Sequence, residues 1–412
     1  MNEPVPSQPI DDPDEYVPGG PIRVRVFGRT DVGQVREHNE DNFIVADLTR
    51  KSRGLMEGDR MQLVGPRGTL MGVCDGMGGA AAGEVASQLA VDIIFERMAD
   101  GDPPKDRDDV ARRIVRAIEE AGSRIYSDAK ADRTRRGMGT TSTVASLIDD
   151  YLFFGQVGDS RAYVLRGGRF VQVTRDQSLV NQLIEAGQLT EEEAETFEHN
   201  NIILQALGTS DTVQVDLTYV ELRRGDVLMV CSDGLSGMVR ADEMREILSS
   251  VPEPLEACKL LTDKANQAGG HDNITCIVAR FEGQGLKPGS PDDPELKYRK
   301  YALPEEGSGG PEPTQPTHRG AVDGLRSADR LSDHGPSQSK MGNTMVGMNL
   351  SDIGLPPGAG DPKKQSSRPP PPNGQDDPVD LPMPATPPWM VGLWLVIAIA
   401  VVGAAGYWLL RP

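Results

Sequence analysis

The sequence predicts an α+β domain, followed by a linker and one C-terminal membrane-spanning helix. Short apolar segments with strand-like patterns follow one another in long runs between residues 22 and 282. Helical patterns are inserted between these runs in pairs, and not after every strand, which favours antiparallel sheets over βαβ units. Residues 389–410 contain no charged side chain.

Residues 1–21 are predicted to form a disordered N-terminal arm. The arm is acidic and rich in proline, as its beginning, MNEPVPSQPIDDPDEY, shows. It lacks the basic and apolar regions of a signal peptide. We therefore place the start of the folded domain at residue 22.

Residues 22–282 are predicted to form the folded domain. The predicted strands are IRVRVFG, NFIVAD, TLMGVCD, TSTVASLI, YLFFGQVGD, RAYVLRGG, RFVQVT, VQVDLTYVEL, DVLMVCSD and NITCIVARF. The predicted helices are GEVASQLAVDIIFERMA, RDDVARRIVRAIEEAGSRIYSDAK, QSLVNQLIEAGQ and PLEACKLLTDKANQAG. The sequence RGGR is typical of a tight hairpin turn between two strands.

Residues 283–388 are predicted to be a disordered linker, because they are rich in Pro, Gly, Ser and Asp. At about 1.5 Å per residue, a helix over residues 389–410 is long enough for a hydrocarbon layer of roughly 30 Å. Trp389 and Trp408 mark its two interfaces. Basic residues upstream favour a cytoplasmic linker, namely Lys363, Lys364 and Arg368. The prediction is a single-pass protein of the cell membrane with a cytoplasmic domain.

The overall charge argues against nucleic acid as a partner. The 412 residues carry a formal net charge of -19, and the isoelectric point is near 4.8. Such a protein repels phosphate backbones. Cys74, Cys231 and Cys276 lie in apolar runs and form no CxxC pair, so we expect buried, reduced thiols.

Acidic residues recur at the ends of predicted strands. Three strands end in an aspartate, and two other strands are preceded by acidic residues; these are Asp75, Asp159, Asp233, Asp272, Glu40 and Asp41. Each alone is an ordinary turn residue. Together they place carboxylates at the ends of several core strands, where they repel one another unless a cation lies among them.

The ligand type indicates Mg²⁺ or Mn²⁺. The histidines and cysteines show no spacing typical of a zinc site. No EF-hand loop is present in the sequence. Oxygen ligands alone favour Mg²⁺ or Mn²⁺.

Six ordered motifs resemble those of the metal-dependent protein Ser/Thr phosphatases of the protein phosphatase 2C family. They are RTDVGQVREHNEDNF, VCDGMGGAAAGEVAS, GMGTTSTVA, GQVGDSRAYVLRGG, CSDGLSGMV and GGHDNITCIV. The resemblance covers most of residues 22–282, and DGMGG is similar to the bacterial branch. It implies a four-layer α-β-β-α sandwich of two antiparallel sheets flanked by helix pairs. It also implies hydrolysis of phosphoserine and phosphothreonine in proteins with two Mn²⁺ or Mg²⁺ ions, with a third ion left open.

The resemblance implies a role for each site residue. Asp75 would bridge the two ions, and the Gly76 carbonyl would bind one of them. Asp233 and Asp272 would complete the shell of the first ion. Arg36 would hold the substrate phosphate.

Four further residues are implied in supporting roles. Glu40 and Asp41 would hold water molecules on the ions, while Asp159 and Asn201 would approach the third ion. Gly237 stands where many members of the family carry Asp, which argues against that third ion.

The implied reaction is attack on phosphorus by a hydroxide bridging the ions, with no phosphoenzyme. Cys74 and Cys231 are therefore expected to pack in the core and not to act as nucleophiles. Met77 stands where eukaryotic members carry a histidine, so an ion-bound water would have to protonate the leaving group.

Two other functions remain open from the sequence. One is a catalytically inactive, membrane-tethered module that binds phosphoproteins; the other is a membrane-anchored metal sensor. The presence of Asp75, Asp233 and Asp272 favours the enzyme. Its expected partners are phosphorylated proteins, among them Ser/Thr kinases and their substrates, and the membrane.

Overall fold

The structure, a computed structural model, describes residues 15–54, 61–78, 82–194, 197, 201–290 and 293–304. The strands in chain order are β1 (Arg23–Asp31), β2 (Asn42–Asp47), β3 (Ser52–Arg53), β4 (Met61–Leu63), β5 (Thr69–Cys74), β6 (Gly76–Met77), β7 (Gly139–Thr140), β8 (Ser142–Ile148), β9 (Tyr151–Val157), β10 (Arg161–Arg166), β11 (Arg169–Gln172), β12 (Asp216–Glu221), β13 (Val227–Cys231) and β14 (Ile274–Glu282). The helices are α1 (Ala82–Ala99), α2 (Arg107–Ala131), α3 (Leu179–Glu185), α4 (Glu191–Ala194), α5 (Asp233–Ser236), α6 (Ala241–Ser250) and α7 (Pro254–Gln267). A 3₁₀ turn covers Arg133–Arg135.

The strands form two large antiparallel sheets and one small sheet. The first large sheet has the order β11-β10-β13-β14-β1-β4, and the second has the order β12-β9-β8-β5-β2-β3. Strands β6 and β7 pair separately, with Gly76 opposite Thr140 and Met77 opposite Gly139. The predicted RGGR turn joins β10 to β11, and both of its glycines have positive φ. The α+β prediction with two antiparallel sheets and helices is confirmed.

The side chains of each central strand alternate between two cores. In β5, Leu70 and Cys74 pack with α1 and α2, whereas Met71 and Val73 face the other sheet. Strand β14 divides its side chains in the same way between the intersheet core and the core under α6 and α7. The sheets therefore lie face to face, each with a helix pair on its outer side. All four cysteines are free and buried, as expected for Cys74, Cys231 and Cys276.

The described fold extends past the boundaries predicted at residues 22 and 282. Backbone groups of Val17 and Gln284 hydrogen bond at 2.8 Å, and Leu286 is fully buried. Farther along, the Tyr301 amide donates to the carbonyl of Leu217 at 2.8 Å, so this segment pairs with the edge of β12. Composition suggested a linker from residue 283, but scattered apolar side chains fix the segment to the domain.

The side chain of Tyr301 provides a test of this extension. Its ring makes edge-to-face contacts with Phe153 and Tyr219, at centroid distances of 5.0 Å and 5.4 Å. We expect Tyr301→Ala to lower the free energy of unfolding by about 2 kcal/mol, because it removes partly buried aromatic contacts. Tyr301→Phe keeps the ring and should cost about 1 kcal/mol or less. Urea unfolding of both variants makes the comparison, and equal stability of the alanine variant and the unchanged chain would contradict it.

Among the described residues, no helix is both long and apolar enough to cross a membrane. The span predicted at residues 389–410 lies outside the described residues.

Candidate metal centre

Asp75 is fixed at the end of the buried strand β5. Its amide donates to Thr141 Oγ1 at 3.0 Å. Its carbonyl accepts from the Thr141 amide at 2.8 Å and from Thr140 Oγ1 at 2.9 Å. Because both backbone groups are held by the neighbouring strand, the direction of the carboxylate is set by the sheet.

Gly76 occupies a position that admits no side chain. A Cβ at this residue would lie 2.4 Å from the carbonyl oxygens of both Glu40 and Gly83. The glycine therefore lets the segment after Asp75 approach the start of α1 and the loop before β2. This close approach brings the Glu40 segment beside Asp75.

Replacing Gly76 should separate these segments. We expect Gly76→Ala to lower the free energy of unfolding by about 2 kcal/mol or more, because backbone atoms must move to admit the methyl group. Gly237→Ala is the matched control, since its Cβ would meet a single atom, the carbonyl oxygen of Asp233, at 3.0 Å. Thermal unfolding compares the two; a Gly76 variant no less stable than the control would refute the close contact.

Asp233 meets Asp75 at the start of α5. The two carboxyl groups are close enough for each to influence the pKa of the other. Oδ1 of Asp233 is buried and has no hydrogen-bond partner among the described residues. Strand β13 and the turn of α5 thus bring this carboxylate to the end of β5.

Asp41 is held from one side only. Its Oδ2 accepts hydrogen bonds from Ser232 Oγ at 2.8 Å and Thr275 Oγ1 at 2.7 Å. Its Oδ1 is buried, and no described group bonds to it. The two hydroxyls therefore orient the carboxylate and leave one oxygen free to bind an ion or its water.

Asp159 lies in the turn between β9 and β10 and is buried. The preceding Gly158 is held at both backbone groups by Gln177, at 2.9 Å each. Oδ1 of Asp159 is a third buried oxygen without a partner in the described part of the chain. The nearby Arg161 is engaged by Asp176, with Nε at 2.8 Å from Oδ2, and so does not satisfy that oxygen.

Asp272 and Arg36 form the exposed side of the centre. Arg36 Nη2 donates to Asp272 Oδ2 at 2.7 Å, and their side chains are 52% and 38% exposed. This hydrogen bond raises the pKa of Arg36, and the carboxylates of Glu40 and Asp75 add to the effect. Asn273 links the loops, because its Oδ1 accepts from the Glu40 amide at 2.8 Å.

The clustered carboxyl groups have raised pKa values. Burial raises the pKa of Asp41 and of Asp159 to about 7, and negative neighbours add to the effect. The pKa of Asp75 is well above its usual range because of burial and the charges of Asp41 and Asp233. Such a cluster is unfavourable as a set of bare anions and favourable around cations.

The residues fit an oxygen-preferring divalent ion. Three buried carboxylate oxygens have no partner among the residues that the structure describes, and Asp75 lies close to their side chains. In the described part of the chain, no three His, Cys, Asp or Glu side chains are already arranged as a finished ligand set. Asp272, which accepts from Arg36, is close enough for its charge to raise the pKa of Asp233 and Asp75. Carboxylate and carbonyl oxygens are the donors that Mg²⁺ and Mn²⁺ select.

Asn201 forms no hydrogen bond with the described carboxylates of this cluster. It lies in an exposed turn, and no described residue forms a hydrogen bond with its side chain. By contrast, sequence reasoning gave no role to Ser232, Thr275 and Asn273, which orient Asp41 and Glu40. The sequence did contain a signal for these roles. Ser232 directly precedes Asp233, Asn273 directly follows Asp272, and Thr275 is the second residue of β14.

Known proteins are similar to this chain over most of the folded region. The family model described as Protein phosphatase 2C matches residues 49–267. Serine/threonine phosphatase stp of Listeria innocua is 35% identical over 250 residues, which are 61% of this chain and 93% of that protein. Protein phosphatase PhpP of Streptococcus pneumoniae is 37% identical over 249 residues, 60% of this chain and 94% of that protein.

A solved structure is also similar over the folded region. It is the catalytic domain of serine threonine protein phosphatase PstP in complex with two manganese ions, which is 33% identical. The match covers 63% of this chain and 99% of that chain, with a TM-score of 0.53. The chain belongs to the protein phosphatase 2C family.

Proposed function

We propose that this chain hydrolyses phosphoserine and phosphothreonine in proteins, with two Mn²⁺ or Mg²⁺ ions as cofactors. The observation that carries the proposal is the set of buried, unpartnered oxygens on Asp41, Asp159 and Asp233, gathered around Asp75. The relatives named as Ser/Thr phosphatases, and the manganese ions of the similar solved structure, support it.

The ions would be held by Asp75, the Gly76 carbonyl, Asp233 and Asp272. When bound, a pair of such ions lowers the pKa of a water between them and neutralises charge on the phosphoryl group. Glu40 and Asp41 would accept hydrogen bonds from waters on the ions. Ser232 and Thr275 donate to Oδ2 of Asp41, which would leave its Oδ1 available for this role.

Arg36 would bind the substrate phosphate. Among the described residues, only Asp272 engages it, through Nη2, and a guanidinium has five N–H donors. The remaining donors can meet two phosphate oxygens in the planar geometry that arginine favours. Arg36 would thus orient the phosphate beside Asp75 and neutralise part of its charge.

The chain supplies no imidazole at position 77. Met77 is half-buried in β6 and has no proton to transfer. Protonation of the leaving alkoxide would therefore come from solvent held by the carboxylates. For a third ion, Asp159 is the ligand best placed, whereas Asn201 is exposed and Gly237 offers no carboxylate.

Hydrolysis of p-nitrophenyl phosphate and of a phosphothreonine peptide tests the proposal. We expect turnover with Mn²⁺, loss of turnover with excess EDTA and recovery when Mn²⁺ is added back. Retained ion binding without any turnover would favour the inactive phosphoprotein-binding module instead.

We also propose that residues 389–410 anchor the enzyme in the cell membrane, with the domain in the cytoplasm. The uncharged length of this segment and its terminal tryptophans support this role. Anchoring would raise the effective concentration of the enzyme near membrane Ser/Thr kinases and their substrates. Membrane fractionation tests it: the whole chain should sediment with membranes, and a chain ending at residue 388 should not. Equal distribution of the two chains would contradict the anchor.

A further inference from the structure

A loop of basic residues borders the metal centre. Residues 132–138 lead directly into β7, whose Thr140 lies opposite Gly76. A Cβ on Gly78 would lie 2.9 Å from Met138 Cα and 3.0 Å from the Gly137 carbonyl oxygen. The loop therefore packs against the segment that continues from Asp75.

The loop has a defined conformation. Met138 is fully buried and fixes its end, and the Met138 amide donates to the Arg135 carbonyl at 3.1 Å. Asp132 Oδ1 accepts from the Thr134 amide at 2.9 Å. Gly137, with φ of +83°, reverses the chain between the 3₁₀ turn and β7. The positions of the arginine backbones are thus set by the fold.

Two of the three arginines in this loop carry uncompensated charge. Arg135 pairs with Asp132 at 3.6 Å. Arg133 and Arg136 are exposed, and neither forms an ion pair with any residue that the structure describes. In a chain with a net charge of -19, two free guanidinium groups beside a phosphate-binding centre form a local positive rim.

The distance to the centre matches the length of a peptide. Arg136 is three residues from Gly139, so their Cα atoms are at most roughly 11 Å apart. Gly139 lies opposite Met77, which adds about 5 Å. An extended peptide advances roughly 3.3 Å per residue. A side chain about three to five residues from the phosphorylated residue would therefore reach Arg136. Arg133 lies in the same turn, because its carbonyl accepts from the Arg136 amide at 3.4 Å.

We propose that Arg133 and Arg136 recognise a second anionic group on the phosphopeptide substrate, a carboxylate or a further phosphate. This inference rests on the proposed phosphatase function and adds a determinant of its substrate preference. Arginine binds both kinds of anion through paired N–H donors. Because the two side chains are exposed, they act on substrate association, and their effect weakens as salt rises.

The test uses the double variant Arg133→Gln/Arg136→Gln in the whole chain. Arg169→Gln is the matched control, because Arg169 is also exposed and lies in β11 of the first large sheet, whereas the arginine loop leads into β7 of the small sheet. The substrates are phosphothreonine peptides that carry Ala, Glu or Lys four residues from the phosphothreonine, or a non-hydrolysable phosphonate there. p-Nitrophenyl phosphate reports the chemistry alone.

We expect the unchanged chain to prefer the Glu and phosphonate peptides over the Ala peptide by about tenfold in kcat/KM at low salt. The double variant should lose this preference, with kcat and p-nitrophenyl phosphate turnover unchanged, and the control should retain it. The Glu and phosphonate arms show which anion is the better ligand. An unchanged preference in the double variant, or no preference in the unchanged chain, would overturn the inference.

A binding measurement separates this inference from the proposed function. Fluorescence anisotropy with a peptide that carries phosphonates at both positions needs no turnover. If the chain proved inactive towards all substrates, the proposed function would fail. Weaker binding of this peptide to the double variant than to the control would still support the recognition of a second anion by Arg133 and Arg136. Equal binding to both variants would overturn it.

Discussion

Asp233→Asn should reduce phosphatase activity by at least about a thousandfold without unfolding the domain. The side chain meets Asp75 and has a buried, unpartnered oxygen, so the substitution removes an ion ligand and an anionic charge together. Burial and the charge of Asp272 raise the pKa of Asp233. In the absence of divalent ions, the neutral amide should therefore raise the free energy of unfolding, by about 1 kcal/mol.

Asp242→Asn is the control for this substitution. Asp242 lies in α6 with a side chain that is 86% exposed, so its loss should change neither activity nor stability measurably. Steady-state kinetics with Mn²⁺ and urea unfolding in EDTA provide the two measurements. Activity of Asp233→Asn within tenfold of the unchanged chain would show that this carboxylate does not bind a required ion.

The ion-free domain should become less stable as pH rises from about 4 to 7. Asp41 and Asp159 have pKa values of about 7 in the folded state, against about 3.9 in an unfolded chain. Between these values the folded state binds more protons, so the free energy of unfolding falls as pH rises and levels off above pH 7. The loss should be a few kcal/mol in total. Acidic residues with lowered pKa values, such as Asp109 and Glu243, act mainly below this range.

Mn²⁺ should reverse this trend, because it binds the deprotonated carboxylates. At a hundredfold excess over its dissociation constant, one bound ion adds about 2.7 kcal/mol. Thermal unfolding between pH 5 and 8, with EDTA or Mn²⁺, measures both effects. The Asp41→Asn/Asp159→Asn variant should show a flatter pH profile in EDTA. A profile in EDTA that rises from pH 5 to 7 in the unchanged chain would contradict the raised pKa values.

Most of the fold could be predicted from periodicity in the sequence. The helices predicted at residues 83–99 and 107–130 match α1 and α2 closely, because long apolar patterns bury one face. Helix α6 was not predicted: it has only 10 residues, of which Met244 and Leu248 are buried. The extension past residue 282 was also missed. Single residues such as Leu286 and Tyr301 attach this segment to the domain, and the average composition of the segment does not reveal them.

The centre could be predicted as a set of acidic residues but not as a geometry. An aspartate after an apolar strand indicates a carboxylate at the end of a strand in the sheet. This pattern pointed to Asp75 and Asp233 as candidate ligands. The hydroxyl groups of Ser232 and Thr275 lie 191 and 234 residues from their partner Asp41 in the chain. Only the antiparallel pairing of β13 and β14 brings them together. The ion pair of Arg36 with Asp272 likewise depends on tertiary structure.

The central claim is that Asp75, Asp233 and Asp272 bind a pair of divalent ions. Anomalous diffraction from crystals grown with Mn²⁺ tests it most directly. We expect two manganese peaks about 3.5–4 Å apart, both in contact with Asp75, and with Arg36 turned towards the open side of the site. Manganese bound elsewhere, or no peak beside Asp75 at saturating Mn²⁺, would contradict the account.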